Sequence, residues 1–150
     1  MNLARMVAGG CGTGFAPVAP GTVASAAAVL VGAALLLVSP WLVAAAAMLA
    51  IAAGFWAVPR AGVEGDPGWV VIDEFAGQWI ALLALSQVSL VGLLAGFALF
   101  RLFDIVKPGP VGWADRQHGV FGVMMDDVIA GVLAALLLAA VRLAWPALGL

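Results

Sequence analysis

The sequence predicts an all-α, polytopic membrane bundle of about five helices in one domain (1–150), and three observations predict it. Of 150 residues, 65% are hydrophobic and only 9% charged, where a soluble domain carries about 25% charged residues. Mean hydropathy is +1.18. So few charges cannot cover a soluble surface, which makes lipid the expected outer boundary. From Thr22 to Val58 there is no charged residue at all. The ionisable residues fall instead in segments that five crossings would bring to one side of a bilayer.

The elements follow in order. The stretch after Arg5 is Gly-rich rather than continuously apolar, so it does not read as a cleaved signal peptide. The charge-free run would measure roughly 55 Å as one helix, against a hydrocarbon core about 30 Å thick. It must turn, and Ser39-Pro40 supplies the break. Helices are therefore expected over 22–39 and 41–58. Residues 59–69, with Arg60, Glu64 and Asp66, read as a polar loop. A single helix from Phe75 to Phe103 would again be too long for a simple crossing, at roughly 43 Å, and Ser86-Gln87-Val88-Ser89 interrupts it. This predicts a short hairpin within 72–106, with arms 72–86 and 90–106; one tilted helix is the alternative. A polar loop over 107–119 leads to a last helix over 121–145 that begins near Asp126-Asp127. The six tryptophans, Trp41, Trp56, Trp69, Trp79, Trp113 and Trp145, mostly flank apolar runs, as interfacial anchors do.

With five crossings, the N-terminal segment, 59–74 and 101–127 share a side. That side would hold Arg5, Arg60, Arg101, Lys107, Arg116 and every acidic residue, leaving only Arg142 at the other end. The positive-inside rule makes the crowded side cytoplasmic. Net charge is −2 and no basic stripe is present, which argues against nucleic acid as a partner. The single cysteine, Cys11, cannot form an internal disulfide, and reads as a packing residue rather than a nucleophile.

Asp73-Glu74, Asp104 and Asp126-Asp127 sit inside or beside apolar helices. A bare carboxylate there is costly and needs a partner, a proton or a metal. Acids at helix starts complement the dipole, which accounts for Asp73 and one of Asp126-Asp127 but not for Asp104, near a helix end. Adjacent acids point about 100° apart on a helix, so one of each pair is expected as ligand and the other as support. The donors are hard oxygens, suited to Mg²⁺; one His and one Cys are too few for zinc. Arg101 shares a helix face with Asp104 at i, i+3, where a plain salt bridge is the bland reading. With Lys107 and Arg116 close by, the mixture of cations and acids suits a phosphate bound together with a metal. The Gly- and Pro-rich run Gly12–Thr22 is a rigid linker or an irregular backbone whose amides face an anion; Thr22 or Ser25 is a candidate helix cap. His118 is a candidate proton shuttle or a plain loop residue.

These residues resemble the phosphatidylglycerophosphatase A family in three blocks. The first is Gly12-Thr13-Gly14-Phe15 through Ala19-Pro20-Gly21-Thr22, the second Val71-Ile72-Asp73-Glu74-Phe75-Ala76-Gly77. The third runs from Phe100-Arg101-Leu102-Phe103-Asp104 through Lys107-Pro108, Asp115-Arg116 and His118-Gly119 to Asp126-Asp127-Val128. Ala24 and Val120 depart from the pattern, which has glycine there in many relatives. The resemblance implies Mg²⁺-dependent hydrolysis of phosphatidylglycerophosphate to phosphatidylglycerol at the cytoplasmic face of a bacterial inner membrane. The residues themselves give the expected roles: Asp73, Glu74, Asp104, Asp126 and Asp127 supply catalytic and metal-binding groups, while Arg101, Lys107, Arg116 and Thr22 hold the phosphate. Two other readings compete. One is a phosphatase for another membrane lipid phosphate. The other is a small transporter or channel subunit, which would need polar residues through the membrane depth, and 22–58 carries no charge. The oligomeric state stays open.

Overall fold

The structure is a computed structural model that describes residues 2–62 and 67–148. Among them the chain is all-helical: α1 (Leu3–Ala8), α2 (Pro20–Leu36), α3 (Pro40–Arg60), α4 (Ile72–Leu82), α5 (Leu90–Val106), α6 (Pro110–Asp115) and α7 (Val120–Ala144). Short 3-10 segments cover Gly10–Phe15 and Pro146–Leu148. Glu64, Gly65 and Asp66 of the expected polar loop lie outside the described residues. By length and composition, α3 and α7 can each cross a membrane, and α2 is a shorter apolar helix.

Both expected breaks occur. Ser39 caps α3 by accepting from the Trp41 amide at 3.2 Å, with Pro40 in the first turn. Ser89 caps α5 by accepting from the Gly92 amide at 3.0 Å. The first arm of the hairpin is shorter than expected: α4 ends at Leu82, and its eleven residues rise about 16 Å. Three further expectations are corrected. A short helix, α1, precedes the first expected one, and the stretch read as a loop over 107–119 contains α6. Neither Thr22 nor Ser25 caps α2, because the helix begins at Pro20 after Ala19 in the left-handed region (φ 47°); Ser25 instead donates to the Gly21 carbonyl at 2.8 Å. Asp126-Asp127 lie almost two turns inside α7, which begins at Val120, so the helix dipole does not account for them.

Helix α4 is the centre of the bundle and packs on α2, α3, α5 and α7. Its closest neighbour is α7, and small residues make the approach possible. A methyl group on Gly77 would overlap the Asp127 carbonyl, and one on Gly131 would overlap the backbone of Gly77. The two helices run in the same direction. Asp127 therefore sits beside the first turns of α4, and at the far end Arg142 donates to the Ala84 carbonyl at 2.8 Å, satisfying a backbone acceptor just past the helix end. Helix α2 also runs parallel to α4: Gly21 lies against Glu74, and the Trp79 indole donates to the Ala28 carbonyl at 2.8 Å. Helix α5 runs the other way, with Phe100 against Gly77 and Gly92 against Leu85. The alternation of direction brings the N-termini of α2, α4 and α7 and the C-terminus of α5 to one end.

The tryptophans sort by end. Trp41 and Trp145 are exposed at one end, and Trp56 and Trp113 at the other. Trp69 stacks on Phe15 at 5.7 Å between ring centres, with the Arg5 guanidinium over it. Trp79 is the exception, an internal tie between α4 and α2.

Candidate functional site

The crowded end holds a cluster of carboxylates. Asp73 and Glu74 occupy the first turn of α4, where acids complement the positive dipole; Asp73 also accepts from the Glu74 amide at 3.1 Å. Asp127 comes across from α7, held close by the Gly77–Gly131 approach. One carboxylate oxygen from each of Asp73, Glu74 and Asp127 lies within 4.8 Å of the others. Asp73 and Asp127 are buried. The Glu74 Oε2 atom is buried and finds no hydrogen-bond partner among the described residues.

The cations of the site are turned to other acids. Arg101 pairs with Asp104 at 2.5 Å, one turn along α5, as the i, i+3 spacing predicts. It also reaches the Ser25 hydroxyl at 3.5 Å. Lys107 caps α5 in the left-handed region (φ 49°), and its ammonium bonds Asp126 at 2.7 Å and Asp115 at shorter range. Burial opposes its charge, but the two carboxylates more than offset this and hold its pKa above the ordinary lysine range. Asp104 stands near enough to Glu74 and Asp127 to act on both electrostatically.

The five acids thus separate. Asp127 faces the cluster while its neighbour Asp126 faces Lys107, as expected of adjacent helical residues. Asp73 and Glu74 do not divide in this way: both offer an oxygen to the cluster. Two cations, Arg101 and Lys107, stand among six carboxylates once Asp115 is included, so the cluster is electrostatically incomplete. Three all-oxygen donors within 4.8 Å, in a partly dry setting, fit a hard divalent cation.

The remaining candidates lie outside this cluster. Thr22 is exposed in the first turn of α2. A methyl group on the adjacent Gly21 would overlap the Glu74 carboxylate and approach Arg101 Nη1 to 3.3 Å, so this glycine is what lets α2 start against the site. Arg116 and His118 are exposed and line a cavity of about 270 Å³ with Gln117, Gly119 and Asp126. Cys11 is exposed and carries no disulfide.

Ser25 was expected in another role, and Gln78 was not expected at all. Ser25 is fully buried against Arg101. Gln78 is fully buried, with both amide atoms unpartnered among the described residues. It lies four residues after Glu74, on the same face of α4. Its signal was present in the sequence: an amide inside an apolar helix, one turn from a candidate ligand.

Comparison with known proteins gives one family. Residues 6–142 match the family model of phosphatidylglycerophosphatase A. The phosphatidylglycerophosphatase A of Escherichia coli is 38% identical over 95% of this chain and 85% of its own length. That of Haemophilus influenzae is 35% identical over 95% of this chain and 90% of its own. A Bacteroides thetaiotaomicron protein, described as a candidate phosphatidylinositol-3-phosphatase, is 41% identical over 91% of this chain and 92% of its own. No solved structure matches the chain.

Proposed function

The chain belongs to the phosphatidylglycerophosphatase A family, and from that premise we propose that it hydrolyses the terminal phosphomonoester of phosphatidylglycerophosphate, releasing phosphatidylglycerol and phosphate, with Mg²⁺ as cofactor. The observation that carries this reading is the meeting of all three polar blocks at one end of the bundle: Gly21 and Ser25 from the first, Asp73 and Glu74 from the second, and Arg101 and Asp127 from the third.

Asp73, Glu74 and Asp127 would hold the ion. Bound there, it offsets phosphate charge and lowers the pKa of a water nucleophile. Arg101 is the principal phosphate ligand: Asp104 and Ser25 fix one edge of its guanidinium, leaving buried Nε–H without a partner among the described residues. A preset donor of this kind stabilises charge developing in the transition state. Lys107 contributes positive charge but is shared with Asp115 and Asp126. Thr22 and Arg116 complete the phosphate contacts from the rim, and His118 serves as proton carrier where the cavity opens. Asp104 and Asp126 act by orienting the two cations. The proposed setting is a bacterial inner membrane. Helices α2, α3, α5 and α7 cross it, short α4 with the segment that follows it up to Ser89 makes the fifth passage, and the site opens at the cytoplasmic face, where Arg60, Arg101, Lys107 and Arg116 gather. The lipid tails then stay in the bilayer and only the head group enters the polar end.

The test is phosphate release by purified protein in detergent from phosphatidylglycerophosphate, with phosphatidylinositol 3-phosphate as comparison because of the Bacteroides relative. Mg²⁺-dependent release from the first, abolished by EDTA, is the expected result. Faster release from the second would transfer the assignment to another lipid phosphate. Release from neither, by folded protein, would refute it.

A further inference from the structure

An apolar groove of about 320 Å³ runs between α2 and α5, lined by Ala26, Val29 and Leu30 on one side and Leu93, Leu94 and Phe97 on the other. Its walls leave large apolar surfaces open: Leu30 is 74% exposed and Leu94 58%. The groove is continuous with the polar site. Ala26 follows Ser25, whose hydroxyl faces Arg101, and Phe97 lies one helical turn from Arg101 on the same face of α5. From Arg101 down to Leu90, at the foot of the groove, α5 rises about 16 Å.

We propose that this groove is the acyl-chain subsite: one fatty chain of the substrate lies between α2 and α5 and delivers the phosphate to Arg101. The proposal rests on the lipid-phosphatase reading above and deepens it. A second apolar depression, lined by Ala46, Leu49, Ala53, Ile72 and Trp79 between α3 and α4, competes for the role. The α2–α5 groove is favoured because it ends on a cation, whereas the other ends at Ile72, beside the acids. At the first, the Arg101 Nε–H has no partner among the described residues and is available to the phosphate. The groove also opens sideways towards lipid, so the chain need not leave the bilayer to bind.

The test compares kcat/KM for phosphatidylglycerophosphate bearing dioleoyl or dihexanoyl chains. Ala26→Trp and Leu94→Trp fill the groove; Leu49→Trp fills the α3–α4 depression. In both groove variants the long-chain to short-chain ratio is expected to fall about tenfold, mainly through KM, as for loss of apolar binding contacts. Leu49→Trp is expected to leave the ratio unchanged. An unchanged ratio in the groove variants, or one moved only by Leu49→Trp, overturns the proposal. If either groove variant unfolds in a thermal melt, Leu30→Trp repeats the test from the exposed lip. Wild-type protein that cleaves neither substrate refutes the lipid-phosphatase reading itself, and the subsite with it; that outcome is distinct from an active wild type whose groove variants keep their ratio.

Discussion

Because Asp127 turns into the carboxylate cluster and Asp126 turns to Lys107, the two neighbours should respond differently to the same substitution. Asp127→Asn is expected to lower kcat by more than about 100-fold, and Asp126→Asn by about 10-fold, the lower range for groups that orient a site. Mg²⁺ titrations of phosphate release check both, and equal losses would contradict the division. Gln78 makes a second residue-level case. A buried amide without partners costs stability, so Gln78→Leu should raise Tm in detergent while lowering kcat, the signature of a polar group kept for the site. A raised Tm with unchanged kcat would remove Gln78 from it. The five acids were legible as a group because each interrupts an apolar helix. The Arg101–Asp104 pair and the parting of Asp126 from Asp127 were legible too, from the i, i+3 spacing and the 100° step; which acids meet in the cluster was not, since side chains from α4 and α7 meet only through helix rotation and crossing. The role of Ser25 was missed for a related reason: a small hydroxyl at a helix start reads as a cap until Arg101 is seen behind it.

At the scale of elements, glycines set the site as firmly as the acids do. The backbones of α4 and α7 touch at Gly77 and Gly131, and that contact holds Asp127 beside Asp73. Gly131→Ala pushes a methyl group into the Gly77 backbone and should cost about 1–3 kcal/mol, as overpacking does. It should lower Tm and activity together, because the carboxylates separate. At the far end, Arg142→Ala leaves the Ala84 carbonyl without its donor and should cost about 1 kcal/mol while leaving turnover largely intact. Thermal melts in detergent paired with activity separate the two effects. The helices themselves were readable from apolar length, Ser39-Pro40 and the polar break before Leu90. The short α4 was not, because Leu83 to Leu85 remain apolar after the helix has ended and no glycine or proline marks the stop. Helices α1 and α6 have six residues each, too few for a periodic signal, and are held by tertiary contacts such as the Val71 amide on the Ala8 carbonyl at 2.9 Å.

For the whole molecule, charge asymmetry and the alternation of helix direction say the same thing: one end holds the ionisable residues and the site, and the other, among the described residues, holds only Arg142 of that kind. The proposed orientation is open to direct test because the chain has a single cysteine and that residue, Cys11, is exposed near the polar end. A membrane-impermeant maleimide should label Cys11 in inverted inner-membrane vesicles and not in right-side-out ones. In a Cys11→Ser background, Leu148→Cys, exposed at the opposite end, should show the reverse. Labelling of both positions from one side would refute the topology.

Asp73-Glu74 and Asp127, from two segments distant in sequence, are proposed to build one divalent-metal site, and metal binding tests this most directly. Mn²⁺, a paramagnetic stand-in for Mg²⁺, can be titrated into purified protein and the free ion followed by electron paramagnetic resonance. Wild-type protein should take up Mn²⁺ competitively with Mg²⁺. Asp73→Asn, Glu74→Gln and Asp127→Asn should each weaken uptake severely, while Asp104→Asn and Asp126→Asn should largely retain it. Undiminished uptake by the three cluster variants would contradict the account.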